Sequence, residues 1–311
     1  MDLKDRKILF ELSKNSRISL KQLSKSIGLS ESSALYRLER LKKEEILLNT
    51  TTIINSYKLG YVGFRVYLSY YNTTIEDEKK LIEWLKNQEE TSVIGIINNQ
   101  DEIGIMSWVK NPLIFQNFCI RLKEQFGKFI KSLEISPYLG TIYYPRKYLS
   151  DNNEYLEIKV LPEEITYCDD LDLEILKILR TNSRVSSLEI ANKLEKPAKT
   201  IINRIKKLEK TKVISGYGVN ININKIGYEY YKLNIVFSEN TNYKKLLEYA
   251  KNLKNSVYID ETINEYDFEL NVEVKNKEEL QNIINNLKST FGGIKKLEIK
   301  QIEKYIKMQF L

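Results

Sequence analysis

A chain of 311 residues, 42% hydrophobic and 29% charged, has the composition of a globular protein with room for two or more domains. It contains no histidine and only two distant cysteines, which argues against a disulfide framework or zinc ribbon and excludes nucleophiles that depend on imidazole. The net charge of +7 is compatible with a polyanionic partner, and no apolar run reaches the length of a membrane span, so we expect a cytoplasmic protein without membrane contact.

The first part of the chain is predicted to be helical. Apolar residues recur at three- and four-residue spacing in three consecutive stretches, DRKILFELSKN, LKQLSKSI and ESSALYRLERLKKE. The turn NSRIS, residues 15–19, separates the first two stretches, and Ser19 with Gln22 forms an S-x-x-Q capping box for the second helix. We expect Arg17 in this turn to have a structural role, the alternative being a phosphate contact. A short β-rich segment, ILLNTTTII, follows.

The next stretch alternates strand and helix patterns. A strand-like segment YVGFRVYLSYY precedes elements predicted in the order helix 81–86, strand 92–97, strand 103–109, helix 113–125 and strand 133–143. The order strand-helix-strand-strand-helix-strand is typical of a ferredoxin-like domain. The polar run SDNNEYLE and Pro162 then indicate a linker, with one short strand at 158–161.

The whole succession recurs because the chain is an internal duplication. Sliding the sequence by 167 positions aligns NSRIS with NSRVS at 182–186 and KLGY with KIGY, and a small shift then aligns LIEWLKN with LLEYAKN. Ser186 with Glu189 repeats the capping box. We therefore predict an α+β fold with two copies of a helix-turn-helix unit followed by a ferredoxin-like βαββαβ domain, bounded as 1–56, 57–146, linker 147–167, 168–223 and 224–311.

The third helix of each helical unit, at about 30–43 and 197–210, is predicted to be a DNA recognition helix. One side of each helix is apolar and is expected to face inward: Ala34, Leu35, Leu38 and Leu41 in the first copy, Ile201, Ile202, Ile205 and Leu208 in the second. The other side offers groups for phosphates and base edges, and these are the candidate DNA-binding residues: Ser33, Tyr36, Arg37, Arg40, Lys196, Lys199, Thr200, Asn203, Arg204 and Lys207.

The two predicted recognition faces differ in charge. The first copy carries acidic residues among its basic ones, namely Glu31, Glu39, Glu44 and Glu45. Between Lys196 and Lys212 the basic residues are opposed only by Glu209. The second copy is therefore expected to be the stronger DNA reader. The alternative is that both faces are charged solvent faces of three-helix bundles.

At this level of detail the chain resembles a known family. The motif DxxDxxIL at 2–9 and 169–176, the NSRIS and NSRVS turns, the RLERL and RIKKL helices, and VISGYGVNININKIG resemble the Lrp/AsnC transcription regulators. The resemblance implies a sequence-specific regulator that binds double-stranded DNA through a winged helix-turn-helix in each copy, with a C-terminal ferredoxin-like domain for effector binding and oligomerisation. We expect no cofactor. The two such domains here either pair within one chain, as a pseudo-dimer, or pair with a second chain. A pseudo-dimer implies an imperfectly palindromic DNA site.

The resemblance also implies a small-molecule site for an effector such as an amino acid. The family usually carries a Gly-x-x-Asp-aromatic loop near a site between subunits, and NEYDF at 264–268 matches it except for Asn264 in place of glycine. In the first copy Glu102 aligns with Asp267, within NQDEI at 99–103. The effector candidates are thus Asn264, Asp267 and Glu102, with the alternative that Asp267 caps a tight turn.

A second scaffold is similar as well. Siroheme decarboxylases resemble the same two-domain arrangement, but their activity is associated with histidine, which this chain lacks. We therefore expect that the protein is not an enzyme and has no metal or catalytic residues. A third interpretation is a metabolite-binding assembly module that has lost DNA binding.

Overall fold

The computed structural model describes residues 1–98, 102–150, 156–239 and 241–308. The first copy contains α1 (Leu3–Lys14), α2 (Leu20–Ile27), α3 (Glu31–Lys43), β1 (Leu47–Ile54), β2 (Val62–Tyr70), α4 (Ile75–Lys86), β3 (Thr91–Ile97), β4 (Glu102–Val109), α5 (Pro112–Phe126) and β5 (Ile130–Tyr143). After β6 (Ile158–Val160), the second copy contains α6 (Asp170–Thr181), α7 (Ser187–Lys193), α8 (Ala198–Lys210), β7 (Ile214–Ile221), β8 (Glu229–Phe237), α9 (Tyr243–Asn252), β9 (Ser256–Thr262), β10 (Phe268–Val274), α10 (Lys277–Thr290) and β11 (Ile294–Met308). The predicted order of elements is confirmed in both copies.

Local capping explains where the helices begin. The side chain of Ser19 accepts a hydrogen bond from the backbone of Gln22, whose side chain returns to Ser19, and Ser186 with Glu189 does the same. Both predicted capping boxes are therefore present, and each satisfies backbone donors that the first helical turn leaves free.

The β-rich segments that follow α3 and α8 pair with each other. Strands β1 and β7 form an antiparallel two-stranded sheet in which Thr50 lies opposite Val219 and Thr52 opposite Tyr217. Each helix-turn-helix unit thus contributes one strand to a wing that the two copies share. We call this pair of strands the wing sheet.

The NSRIS and NSRVS turns also meet. The hydroxyls of Ser16 and Ser183 are 2.7 Å apart, and both side chains are fully buried. Arg184 donates from Nη1 to the carbonyls of Ser16 and Ile18 at 2.7 Å each, and Arg17 donates in return to the carbonyls of Ser183 and Val185. The expected structural role of Arg17 is confirmed, although the carbonyls that it binds belong to the other copy.

The two ferredoxin-like domains pair within the chain. Their strands form a ring in the order β2-β4-β3-β11-β8-β10-β9-β5, which closes because β5 also pairs with β2. One part of β5 pairs with β2 of its own copy and the part from Tyr138 to Tyr143 pairs with β9, while β11 passes in the same way from β8 to β3. Of the two arrangements left open by the sequence, the structure has the intramolecular pseudo-dimer.

The outer face of the barrel is covered by helices. Helices α4 and α5 bury Leu81 and Phe118 against the first copy's strands, and α9 and α10 bury Leu246 and Leu287 against the second's. Full burial of one such side chain contributes roughly 1.5–3 kcal/mol, so these two layers hold the ring. The inner face of the ring is left for polar and aromatic side chains. No helix in the described ranges is long and apolar enough to cross a membrane.

The segment predicted as a linker, 147–167, is partly packed. Its short strand is confirmed as β6, which pairs with the end of β5. However, Leu149 is buried, and the ring of Tyr148 lies 4.2 Å from that of Tyr228. Further along the segment Val160 is also buried, and the backbone N–H of Thr166 donates to the carbonyl of Lys58. Residues 151–155 lie outside the described part of the chain.

Candidate functional site

The buried sides of α3 and α8 are narrower than predicted. Residues such as Ala34 and Ile201 are fully buried, as expected, but Leu35 is 48% exposed and Ile202 is 40% exposed. The prediction that Leu35 and Ile202 face inward is therefore wrong. Successive residues of a helix are turned by about 100°, and each of these two follows a residue that points straight into the bundle.

In the first copy, two of the candidate DNA-binding arginines are paired with carboxylates. Arg37 Nη1 lies 2.7 Å from Asp2 Oδ2 and 2.8 Å from Asp5 Oδ1, and Arg40 Nη2 lies 2.6 Å from Asp5 Oδ2. Asp5 is 1% exposed. The backbone N–H of Asp5, and after it Arg37, lower the pKa of Asp2 to about 2. These pairs tie the recognition helix to the start of α1.

The second copy repeats the arrangement. Arg204 Nη1 lies 2.7 Å from Asp169 Oδ2 and 3.2 Å from Asp172 Oδ1, and Lys207 Nζ lies 3.3 Å from Asp172 Oδ2. The backbone N–H of Asp172, followed by Arg204, lowers the pKa of Asp169. The sequence did contain the signal, because the DxxD motif and the two basic residues recur at the same separations in both copies.

The other six candidate DNA-binding residues are outside these carboxylate pairs, and most of them are exposed to solvent. Tyr36 is 69% exposed, and Ser33, Lys196, Lys199 and Asn203 are exposed while Thr200 is half-buried. Lys206, which the sequence interpretation did not select, is exposed on the same side of α8. Positions 167 residues apart show how the faces differ: Lys199 corresponds to Ser32, Asn203 to Tyr36 and Lys206 to Glu39. The free face of α8 is basic, and that of α3 is neutral to acidic.

The effector candidates are engaged within the protein. The Asp267 carboxylate accepts a hydrogen bond from the backbone N–H of Phe237 at 2.8 Å, and Asn264 donates to Glu269. Glu102 pairs with buried Lys300 at 2.8 Å, although burial raises the pKa of this carboxyl. The Asp267 carboxylate thus contacts the end of β8 rather than its own turn, and within the turn it is Asn264 Oδ1 that accepts a hydrogen bond from the backbone N–H of Tyr266. Residues 99–101 of the first-copy loop lie outside the described ranges.

A cavity of about 660 Å³ lies between the wing sheet and the inner face of the barrel. Both wing strands line it from above, and side chains of the barrel line it from below. Rings form one wall: Tyr143 and Tyr258 have centroids 5.1 Å apart, and Tyr230 lies 6.3 Å from Tyr258 and 6.4 Å from Tyr305. Glycines and aliphatic side chains form the rest, among them Gly95, Gly104, Met106, Ile158 and Ile302.

The floor of this cavity carries compensated charges. Arg65 binds Glu269 through two hydrogen bonds of 2.5 and 2.7 Å, and Lys232 lies 2.7 Å from the same carboxylate and also pairs with Asp260. Burial alone would raise the pKa values of Glu269 and Asp260, but Lys232 and Arg65 hold both below their ordinary range. Arg146 and Glu273 form a further pair at 2.9 Å. Within the described ranges no three side chains of the metal-binding types gather at one place.

Comparisons with known proteins match each copy separately. Residues 1–47 match the winged helix-turn-helix DNA-binding family, and residues 169–209 match the AsnC-type helix-turn-helix domain. An uncharacterized HTH-type transcriptional regulator of Pyrococcus furiosus is 35% identical over 127 residues, which are 40% of this chain and 84% of that protein. HTH-type transcriptional regulator LrpA of Pyrococcus horikoshii is 30% identical over 132 residues, which are 42% of this chain and 92% of that protein.

One solved structure resembles the entire chain. The crystal structure of the siroheme decarboxylase NirDL matches 99% of this chain and 93% of its own, with a TM-score of 0.63 and 13% sequence identity. At that identity the likeness shows the fold alone. The two-copy arrangement is therefore a fold that occurs in another protein.

Proposed function

Because the chain belongs to the Lrp/AsnC family of DNA-binding transcription regulators, we propose that it reads duplex DNA as a dimer built within one chain. The wing sheet and the NSRIS and NSRVS turns join the two helix-turn-helix units, so α3 and α8 present their free faces from one connected body. The two faces carry different side chains, so an imperfectly palindromic site suits them better than a perfect palindrome.

The basic free face of α8 is the observation that carries this proposal. Lys199 and Lys206 are exposed, and neither has an ion-pair partner among the described residues. Asn203 lies between them and can form the paired hydrogen bonds that suit adenine. We therefore assign phosphate contacts to the two lysines and base contact to Asn203. Arg37, Arg40, Arg204 and Lys207 act mainly by holding the recognition helices in position through their carboxylate pairs.

The test measures DNA binding by fluorescence anisotropy, with duplexes that cover the region upstream of the protein's own coding sequence. Joint replacement of Lys199 and Lys206 by alanine should weaken binding about tenfold or more and reduce the slope of log K against log salt by about 2. The matched control replaces Lys244 and Lys245, which are exposed on α9 of the barrel. This control removes the same charge, and equal losses from both pairs would contradict the assignment to α8.

A small-molecule effector at the 264–268 loop is a separate part of the proposal. Its support is that Asp267 and the following Phe268 match the family's loop, although Asn264 replaces the glycine and Glu102 takes the place of the aspartate in the first copy. The measurement is the DNA affinity with and without each common amino acid, in the wild type and in Asn264→Ser. An effect of an amino acid that is equal in both proteins would exclude the loop.

The second candidate function is that of a siroheme decarboxylase, which the whole-chain fold likeness to NirDL favours. We propose the regulator instead and no catalytic activity, because the chain has no histidine to exchange protons at neutral pH. Purified protein is expected to lack a tetrapyrrole absorbance band. A stoichiometric band after purification, together with decarboxylation of added siroheme, would reverse this choice.

A further inference from the structure

We propose that the cavity between the wing sheet and the barrel binds a neutral aromatic small molecule of one or two rings. The cavity is separate from the 264–268 loop, since none of Asn264, Asp267 and Glu102 lines it. Its volume of about 660 Å³ falls in the range of about 300–1,000 Å³ that is typical of small-molecule sites.

The charge balance of the floor selects a neutral ligand. The cations Arg65 and Lys232 face the anions Glu269 and Asp260, so this cluster has no net charge, and Arg146 is likewise paired with Glu273. Of the other charged lining residues, Glu303 and Lys304 carry opposite charges, and Lys307 Nζ donates to the carbonyls of Lys86 and Gln88, which do not line the cavity. A charged ligand would lose its hydration without gaining a free counter-charge among these buried groups. The cost of such an uncompensated buried charge is several kcal/mol. An uncharged ligand avoids that cost.

The tyrosine side chains that line the cavity favour an aromatic ligand. Tyr305 is 43% exposed and lines the cavity, with its ring centroid 6.4 Å from that of Tyr230. Tyr230, Tyr258 and Tyr143 continue this wall in edge-on or tilted contacts. A ligand ring can extend that series, since edge-to-face and offset contacts contribute about 0.5–1.5 kcal/mol beyond burial.

Glycines of the first copy provide the space. Gly95 lies opposite Tyr305, where an added Cβ would be 3.5 Å from the ring in ordinary contact. At Gly104 an added Cβ would lie 2.9 Å from Ile97 Cδ1 and 3.6 Å from the Tyr67 ring, so a side chain there would displace the end of Ile97. The corresponding residues of the second copy are Asp260 and Glu269, of which Asp260 also lines the cavity. The first copy thus has no side chain at these two positions, and both glycines line the cavity.

Ligand binding in the cavity should change the DNA affinity of the helix-turn-helix units, a consequence that rests on the proposed function. Residues on both wing strands line the cavity, among them Asn49, Thr51, Gly218 and Asn220. The wing sheet directly follows α3 and α8 in each copy, so a ligand that orders this sheet against the barrel also orders the recognition helices. Ligand and DNA are then thermodynamically linked, and each changes the affinity for the other by the same factor.

Isothermal titration calorimetry of the full chain tests the site without DNA. The probes are coumarin, indole and 2-naphthol, each compared with an anionic analogue: coumarin-3-carboxylate, indole-3-acetate and 2-naphthoate. At least one neutral probe should bind with one site per chain, and its anionic analogue should bind about tenfold more weakly, a difference of about 1.4 kcal/mol. Failure of all three neutral probes, or tighter binding of the anions, overturns the proposal.

Two variants locate the site. Gly95→Phe places a ring in the cavity and should weaken binding of the neutral probe about tenfold or more, whereas Ile135→Phe adds a ring at a site that is 43% exposed and should not. If Gly95→Phe does not fold, Tyr305→Ala removes the exposed wall and should still weaken binding. Wild-type affinity in the folded cavity variants overturns the location. Displacement of the probe by iron-uroporphyrin at lower concentration overturns the ligand class.

The last measurement separates this inference from the proposed function. DNA affinity is compared with and without the neutral probe that binds, and a change of about threefold or more is expected. DNA binding without any probe binding leaves the regulator proposal intact and overturns the cavity site. Probe binding without DNA binding leaves the site intact and contradicts the regulator proposal.

Discussion

The two copies are most alike where they touch each other and least alike where they face open space. Ser16 and Ser183 form a mutual contact, and Arg17 and Arg184 bind each other's turns in the same way. In contrast, the free faces of α3 and α8 differ in charge at corresponding positions, such as Glu39 and Lys206. A side chain that must fit its own counterpart has few alternatives, whereas one exposed to solvent or DNA has many.

The barrel interior is an exception to this pattern, because the copies are in contact there and still differ. The first copy supplies Gly95 and Gly104, and the second supplies Asp260 and Glu269 at the corresponding positions. Arg65 and Lys232 correspond to each other and bind the same carboxylate, that of Glu269. The first copy thus supplies both glycines and the second copy both carboxylates, while each copy supplies one cation, so neither half would make this interior alone.

The largest expected effect comes from that shared carboxylate. Glu269→Gln leaves Arg65 and Lys232 buried with one anion fewer, and removal of one partner from a buried ion pair costs about 3–5 kcal/mol. Urea unfolding should therefore show a loss of that size in the free energy of unfolding. Glu265→Gln is the matched control, because its carboxylate pairs with Lys296 at the surface and should contribute about 0–1 kcal/mol. Similar losses in both variants would refute the shared role of Glu269.

Low pH should destabilise the protein through two carboxylates of the second copy, Glu269 and Asp260. The pKa values of Glu269 and Asp260 are lower in the folded protein than in an unfolded chain. Their stabilisation is therefore complete above the ordinary carboxyl pKa of about 4 and is lost as the pH falls below it, by an amount on the order of 2 kcal/mol. Thermal unfolding from about pH 6 to about pH 3 should show this loss, and Glu269→Gln should reduce the dependence on pH. An unchanged slope in the variant would contradict the assignment.

The contact between the turns permits a test of how equivalent the copies are. Arg17→Ala and Arg184→Ala each remove charged hydrogen bonds to two carbonyls, a loss of about 1.5–3 kcal/mol. Burial, and after it the charge of Arg17, lowers the pKa of Arg184, so the two guanidiniums repel each other. Chemical unfolding of both single variants and the double variant measures the coupling. The loss in free energy of unfolding of the double variant should differ from the sum of the two single losses. Equality with that sum would mean that the two arginines act independently, contrary to their reciprocal contacts.

The smallest expected effect is on DNA affinity, from exchanging single charges on the free faces. Lys206→Glu should weaken binding severalfold, and Glu39→Lys should strengthen it severalfold, since one phosphate contact changes the salt slope by about 1. Anisotropy titrations at two salt concentrations distinguish the two directions. If Glu39→Lys has no effect on DNA affinity while Lys206→Glu does, then α8 contacts DNA and α3 does not.

Much of this architecture was predictable because the duplication supplies an internal comparison. Periodicity and capping residues at Ser19 and Ser186 predicted the helices, and the order of elements predicted both ferredoxin-like domains. Contacts between distant segments were not predictable in the same way. The pairing of Arg37 with Asp2, or of Arg65 with Glu269, requires helices and strands to be placed in space. Helical periodicity alone also assigned Leu35 to the interior, since it cannot resolve the edge of a buried stripe.

Joining two copies in one chain has a consequence for the carboxylate at position 269. In a dimer of identical subunits, every side chain placed near the symmetry axis appears twice. A glutamate at that position would then bring two carboxylates into the barrel, and a glycine would bring none. In a chain that contains both copies, the two corresponding positions need not carry the same residue. Glu269 in one copy and Gly104 in the other can therefore coexist. Because the copies are fused, corresponding positions can carry different residues, and in the barrel interior they do.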